Sequence, residues 1–127
     1  MKTICIDFDG VLHDYSKGWL GVDVFIKPIS GASEFTHTLK DRGWTIILHT
    51  TRNDSLALRK FLSENNIIVD YVNYNPNQPK GAEKGKIIAD IYLDDRGMCF
   101  KGNFNQTLKE ISTFFPWQEK VEDMCPQ

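Results

Sequence analysis

The stretch Ile4-Cys5-Ile6-Asp7-Phe8-Asp9-Gly10 is the place where the fold declares itself. Residues Thr3 to Ile6 are a short apolar run, read as a buried strand. The run stops abruptly at Asp-Phe-Asp-Gly, two carboxylates and a glycine, which reads as a turn with chemical work to do.

Outward from that stretch, the chain has 127 residues, which predicts one domain spanning 1–127. Hydrophobic residues make up 41% and charged residues 25%, an ordinary globular balance that argues against disorder. The formal charge of -2 gives no global attraction to nucleic acid or anionic membranes. The three cysteines, Cys5, Cys99 and Cys125, are odd in number and lack C-x-x-C spacing, so a reduced, cytoplasmic protein is expected. No signal peptide is expected ahead of the first strand. No apolar run approaches the roughly 18 residues that span a membrane.

After the turn, residues 11–28 are irregular, with Gly18 and Gly21 flanking Trp19 and Leu20, and predict a flap too short to be a second domain. A helix follows, with Ser30 as its expected N-cap and Ala32, Phe35 and Leu39 at helical spacing. Gly43 ends it. Trp44 to Leu48 is a second strand, leading into His49-Thr50-Thr51-Arg52. Asn53 or Asp54 is expected to cap the next helix, which carries Leu58, Phe61 and Leu62 on one face. A third strand lies within Ile67 to Val72, and a fourth at Asp90 to Leu93 runs into Asp94-Asp95-Arg96-Gly97. Phe104, Leu108, Ile111 and Phe115 fall at i, i+4, i+7 and i+11, which predicts a closing helix with these four in the core. Pro116-Trp117 ends it, and residues 118–127 read as a polar tail.

Strands alternating with helices predict an α/β, Rossmann-like, open and mainly parallel sheet with helices on both faces and no large cap. Ligands of such sheets bind beyond the carboxyl ends of the strands. There the pattern places Asp7 and Asp9, Thr50, Thr51 and Arg52, and Asp94 and Asp95, with Lys84 and Lys86 just before the fourth strand. Four carboxylates in one small volume repel one another unless a cation is present. A donor set of oxygens without His or Cys points to a hard divalent ion, Mg2+ being the usual choice. A lysine and a threonine hydroxyl then suit phosphate oxygens.

The order Asp-x-Asp-Gly, Thr at the end of the second strand, Lys, then Asp-Asp resembles the haloacid dehalogenase-like hydrolases, from about Thr3 to Gly97. The runs Val72-Asn73-Tyr74-Asn75-Pro76 and Ala89-Asp90-Ile91-Tyr92-Leu93-Asp94-Asp95-Arg96 are similar to small capless members from bacteria and their phages. The resemblance implies an Mg2+-dependent phosphatase. By it, Asp7 is the nucleophile that becomes an aspartyl phosphate, and Asp9 is the general acid and then the base. Thr50 binds the phosphate with the backbone amides of Gly10 and Thr51. Lys86, or its rival Lys84, stabilises the phosphoryl oxygens. Asp7, the carbonyl of Asp9 and Asp94 hold the metal, with Asp95 binding it directly or through water. The family's usual Thr after Asp-Gly is Val11 here, which removes a hydroxyl but no catalytic group.

Other readings are weaker. A calcium loop starting at Asp7 needs Glu at its twelfth position, where Gly18 stands. A receiver domain also uses a phosphorylated Asp, but its acidic pair lies on the first strand and its acceptor on a middle one. A non-catalytic protein on this fold usually lacks a motif carboxylate, and none is missing. The expected partner is a phosphorylated small molecule or, by the basic set Arg52, Lys80, Lys84 and Lys86, a phosphorylated nucleic-acid end, without a membrane. A homo-oligomer whose neighbour covers the site is compatible with a capless enzyme. Arg52 reads equally as a substrate contact or as a salt-bridge partner of a nearby carboxylate. His13 is a flap residue with some claim to touch substrate, and Tyr15 and Trp19 either stack on a leaving group or anchor the flap.

Overall fold

A computed structural model describes residues 2–116. The opening run becomes β1 (Thr3–Asp7), followed by α1 (Ala32–Asp41), β2 (Thr45–His49), α2 (Leu56–Glu64), β3 (Tyr71–Val72), β4 (Ile91–Leu93) and α3 (Phe104–Ser112). All pairings are parallel, in the order β3-β2-β1-β4, which makes this a Rossmann-like α/β fold without a large cap. Asp7 lies opposite His49 and Ile6 opposite Leu93, so β1, β2 and β4 release their next residues at one rim. At the other end of β4, Asp90 secures the edge: its Oδ2 accepts the Thr3 amide at 2.8 Å.

Strand alternation divides the core. Ile4, Ile6, Ile46 and Leu48 face a cluster with Phe8 and Leu12, Ala32 of α1, and Leu58, Phe61 and Leu62 of α2. Cys5 and Ile47 face the opposite side and meet Ile87, with Tyr71 and Ala89 alongside. Burial, reinforced by Asp7 and Asp94, pushes the Cys5 thiol up to about 11, so it behaves as a small hydrophobe.

The helix starts differ from expectation in instructive ways. Gly31, not Ser30, caps α1: the Ala32 amide turns back onto the Ile29 carbonyl, and the chain enters the helix at φ 91°, a conformation glycine adopts without strain. Ser55 caps α2 by accepting from the Leu58 amide at 3.1 Å. Asp54 is drawn off by Arg59, at 2.7 Å.

The larger correction concerns α3. Asn103 caps it by accepting from the Gln106 amide, but its apolar row does not join the core. Phe104, Leu108 and Ile111 are 76%, 64% and 58% exposed and Phe115 is exposed too, with Phe104 packing on Phe100 at a ring distance of 4.9 Å. Helical spacing specifies an amphipathic face; it does not specify the surface that face meets. Trp117, Cys125 and the tail 118–127 lie outside the described residues. Among the described residues no helix is long and apolar enough to cross a membrane.

The flap forms no regular strand. His13 bridges to Asp9 and to Pro28, the Asp14 amide donates to the Lys27 carbonyl at 2.9 Å, and the Ile29 amide to that of Leu12 at 2.9 Å, so its two ends run side by side.

Candidate active site

β1 delivers Asp7 to the rim, and β4 delivers Asp94 and Asp95. Each offers one carboxylate oxygen, and these oxygens lie within 4.8 Å of one another. Burial and then the charge of Asp94 push the Asp7 carboxyl up to about 7, against the Phe8 amide that donates to its Oδ1 at 3.0 Å. Burial and then Asp94 also raise Asp95. Asp95 is buried, and its Oδ1 has no hydrogen-bond partner among the described residues. Asp94 is exposed, its Oδ1 taken by the amides of Arg96 and Gly97. A buried orphan oxygen beside two further carboxylates fits a hard cation, and this cluster could hold one.

Gly10 makes the cluster sterically possible. It sits at φ 90°, and a Cβ there would come 2.6 Å from Asp95 Oδ2. The expectation for its amide needs correcting: that N–H donates to the His13 carbonyl at 2.9 Å, because the turn closes on itself.

Asp9, two residues from Asp7, has different surroundings. His13 Nδ1 lies 2.8 Å from its Oδ1. Arg52 approaches with Nε at 3.0 Å from Oδ2 and Nη2 at 3.1 Å from Oδ1. Burial alone would raise its pKa, but the hydrogen bonds from His13 and Arg52 outweigh burial and hold the carboxyl below the usual range.

Arg52 is 2% exposed, so of its two sequence readings the structure presents the salt bridge. Thr50 is buried just past β2. Its Oγ1 accepts from the Arg52 amide at 3.1 Å and its amide donates to Asn73 Oδ1 at 2.8 Å; the hydroxyl proton remains to donate. Thr51 is exposed beside it. Lys84 and Lys86 are exposed on the irregular segment before β4 and are not brought into the carboxylate cluster; the Lys86 ammonium lies 6.0 Å from the Tyr92 ring.

Two supporting residues escaped the sequence reading. His13, which the sequence presents as a flap residue with some claim to touch substrate, is 2% exposed, stacked on Phe8 at 5.0 Å, with the Ile26 amide on its Nε2 at 2.9 Å. Its place four residues after Asp9 was the available signal. Asn73 ties the ends of β2 and β3, holding the Thr50 amide and donating to the Arg52 carbonyl at 3.3 Å from a left-handed φ of 54°. Asparagine tolerates that conformation.

Against solved structures, the chain is similar to a conserved protein coded by a locus from Bacteroides thetaiotaomicron. The two are 21% identical over 98% of each chain, with a TM-score of 0.59, which shows a shared fold. A second match is the D,D-heptose 1.7-bisphosphate phosphatase from B. bronchiseptica complexed with magnesium and phosphate. It is 22% identical over 61% of this chain and 53% of its own, with a TM-score of 0.43. No family model and no curated protein matches the chain.

Proposed function

We propose that the chain is a magnesium-dependent phosphomonoesterase working through an aspartyl phosphate on Asp7. One observation carries the reading: Asp7, Asp94 and Asp95 bring carboxylate oxygens within 4.8 Å of one another around a buried Asp95 oxygen that has no partner among the described residues, and Asp9 stands two residues from Asp7. An all-oxygen donor set of this kind suits a hard divalent ion and, through it, a phosphate.

Asp7, Asp94 and Asp95, with the main-chain carbonyl of Asp9, are the residues that would hold Mg2+. When bound there, the ion supplies the positive charge that keeps Asp7 ionised and draws phosphate oxygens to the rim. An Asp7 oxygen attacks phosphorus, and the bond to the leaving oxygen breaks as Asp9, which His13 and Arg52 hold ionised beforehand, passes to that oxygen a proton taken from the phosphate monoanion. Water then attacks the phosphoryl group, its proton passing to Asp9, and the Asp7–phosphorus bond breaks to free inorganic phosphate. Thr50 donates its hydroxyl proton to a phosphoryl oxygen. Lys86, exposed and reaching over Tyr92 two residues before Asp94, is the proposed counter-charge, with Lys84 as the alternative.

The test is repeated turnover of p-nitrophenyl phosphate with Mg2+, abolished by EDTA and by Asp7→Asn. Single-turnover phosphorylation without release would favour a receiver-like acceptor. Undiminished hydrolysis in Asp7→Asn would remove Asp7 as nucleophile.

A further inference from the structure

The flap and Asp9 share two buried side chains. His13 reaches Asp9 with Nδ1 at 2.8 Å, while its Nε2 receives the Ile26 amide of the flap at 2.9 Å. An amide N–H requires a lone pair on Nε2, so the ring proton sits on Nδ1 and is donated to Asp9. Arg52 does the same from the other side. Its Nε and Nη2 donate to Asp9, and its Nη1 donates to the flap carbonyls of Gly21 at 2.9 Å and Val22 at 2.6 Å. All three guanidinium nitrogens are engaged. The planar group lies 4.8 Å from the ring of Trp19 and 4.9 Å from that of Phe25, both flap residues. Phe25 stacks in turn on Phe61 of α2 at 4.9 Å. Ser55 Oγ adds a tie outside, donating to Asp23 at 2.8 Å.

Stability alone is a poor reason for this arrangement. A buried ion pair roughly breaks even against apolar side chains of the same volume, because both charges must be desolvated. What the pair does achieve is geometric. A fork with fixed donor directions and a ring with one donor and one acceptor each join the same carboxylate to the same loop. Neither side chain has its polar atoms directed to the rim while the flap is seated, which separates them from substrate contacts.

We propose that His13 and Arg52 are positioning residues that make the orientation of the Asp9 carboxylate conditional on a seated flap. The proposal rests on reading Asp9 as the acid and base of the site. Flap release would take away the Gly21, Val22 and Ile26 partners together, leave both donors free to swing, and with them the carboxylate. Residues 11–28 would then act as a latch on the chemistry, in place of the cap that the fold lacks.

The experiment is a set of double-mutant cycles on the full chain with Mg2+ and p-nitrophenyl phosphate: His13→Ala, Arg52→Lys, Asp9→Asn and the two pairs containing Asp9→Asn. Misplacing Asp9 forfeits part of the roughly 10^2 to 10^4-fold that acid–base help is worth. His13→Ala and Arg52→Lys are therefore each expected to lower kcat by roughly 10 to 100-fold with KM little changed. In the Asp9→Asn background each should cost less than about 3-fold, since they act through the group already removed. Losses that multiply in that background overturn the proposal and leave Asp7 chemistry intact. A raised KM with unchanged kcat overturns it in favour of substrate contact. Absence of turnover in the unmodified chain overturns the phosphatase reading and this proposal together. A second arm needs no activity. Trypsin cleavage after exposed Lys17 in the flap should be several-fold faster in His13→Ala than in the unmodified chain, and equal rates overturn the latch. If Arg52→Lys does not fold, the His13 cycle and the cleavage arm decide.

Discussion

Asp7 and Asp9 are separated by one residue, yet they belong to different halves of the rim. Asp7 belongs to an acidic half assembled by two strand ends, where Asp94 and Asp95 crowd it and one buried oxygen has no partner among the described residues. Asp9 belongs to a clasped half assembled by the flap and the end of β2, where every contact brings a donor. The first half holds repulsion that a cation would relieve. The second is complete within the chain. Residues adjacent in sequence thus acquire opposite electrostatics because side chains leaving a turn diverge into the neighbourhoods of different strands.

The largest effects should come from one substitution in each half. Asp7→Asn is expected to reduce Mg2+-dependent ester hydrolysis to background, and Asp9→Asn by roughly 10^2 to 10^4-fold, measured as kcat. Equal losses would erase the proposed division between nucleophile and acid–base.

The halves should also answer pH in opposite directions. Between the unfolded value of 3.8 and about 7, the folded metal-free chain keeps a proton on Asp7 that the unfolded chain has lost. Asp7 therefore makes metal-free stability fall as pH rises through that window, and the rise in Tm given by Mg2+ should grow across it as the ion displaces the proton. Asp9, held below 3.8, contributes stability that is lost only as pH falls through its lowered value. Thermal melts from pH 4 to 8 with and without Mg2+ measure the first effect; an Mg2+ shift that is flat with pH would contradict it.

Asp95→Asn sharpens the acidic half further. Removing one charge should raise the metal-free Tm while shrinking the Mg2+ shift and the activity, a trade of function for stability. Gly10→Ala should cost about 1–3 kcal/mol in denaturant melts, from the positive φ and the collision with Asp95. The smallest effect is expected away from both halves: Leu108→Asn on α3 should change stability by no more than about 0.5 kcal/mol, whereas Ile6→Ala in the core should cost about 2–5 kcal/mol.

Much was legible in the sequence because it was local. The alternation of short apolar runs and helical spacing located β1, β2, β4, α1 and α2 to within a residue or two. The parallel sheet followed from their order, and with it the meeting of Asp7, Thr50 and the Asp94-Asp95 pair at one rim. Caps were less legible, since Ser30, Asn53, Asp54 and Ser55 are all capable and local hydrogen bonds choose among them. The clasp on Asp9 was not legible. His13 and Arg52 are 39 residues apart and carry no mutual spacing, and the flap carbonyls that complete their bonding have no sequence signature.

By itself, then, the sequence determined the fold class and the chemical inventory of the rim, because periodicity and strand order act through covalent neighbours. The tertiary structure alone decided how that inventory is divided: which carboxylate faces charge of its own sign, which faces a buried guanidinium, and which apolar helix face remains in water. Those outcomes depend on distances and desolvation between segments far apart in the chain, and neither quantity is written in the spacing of residues.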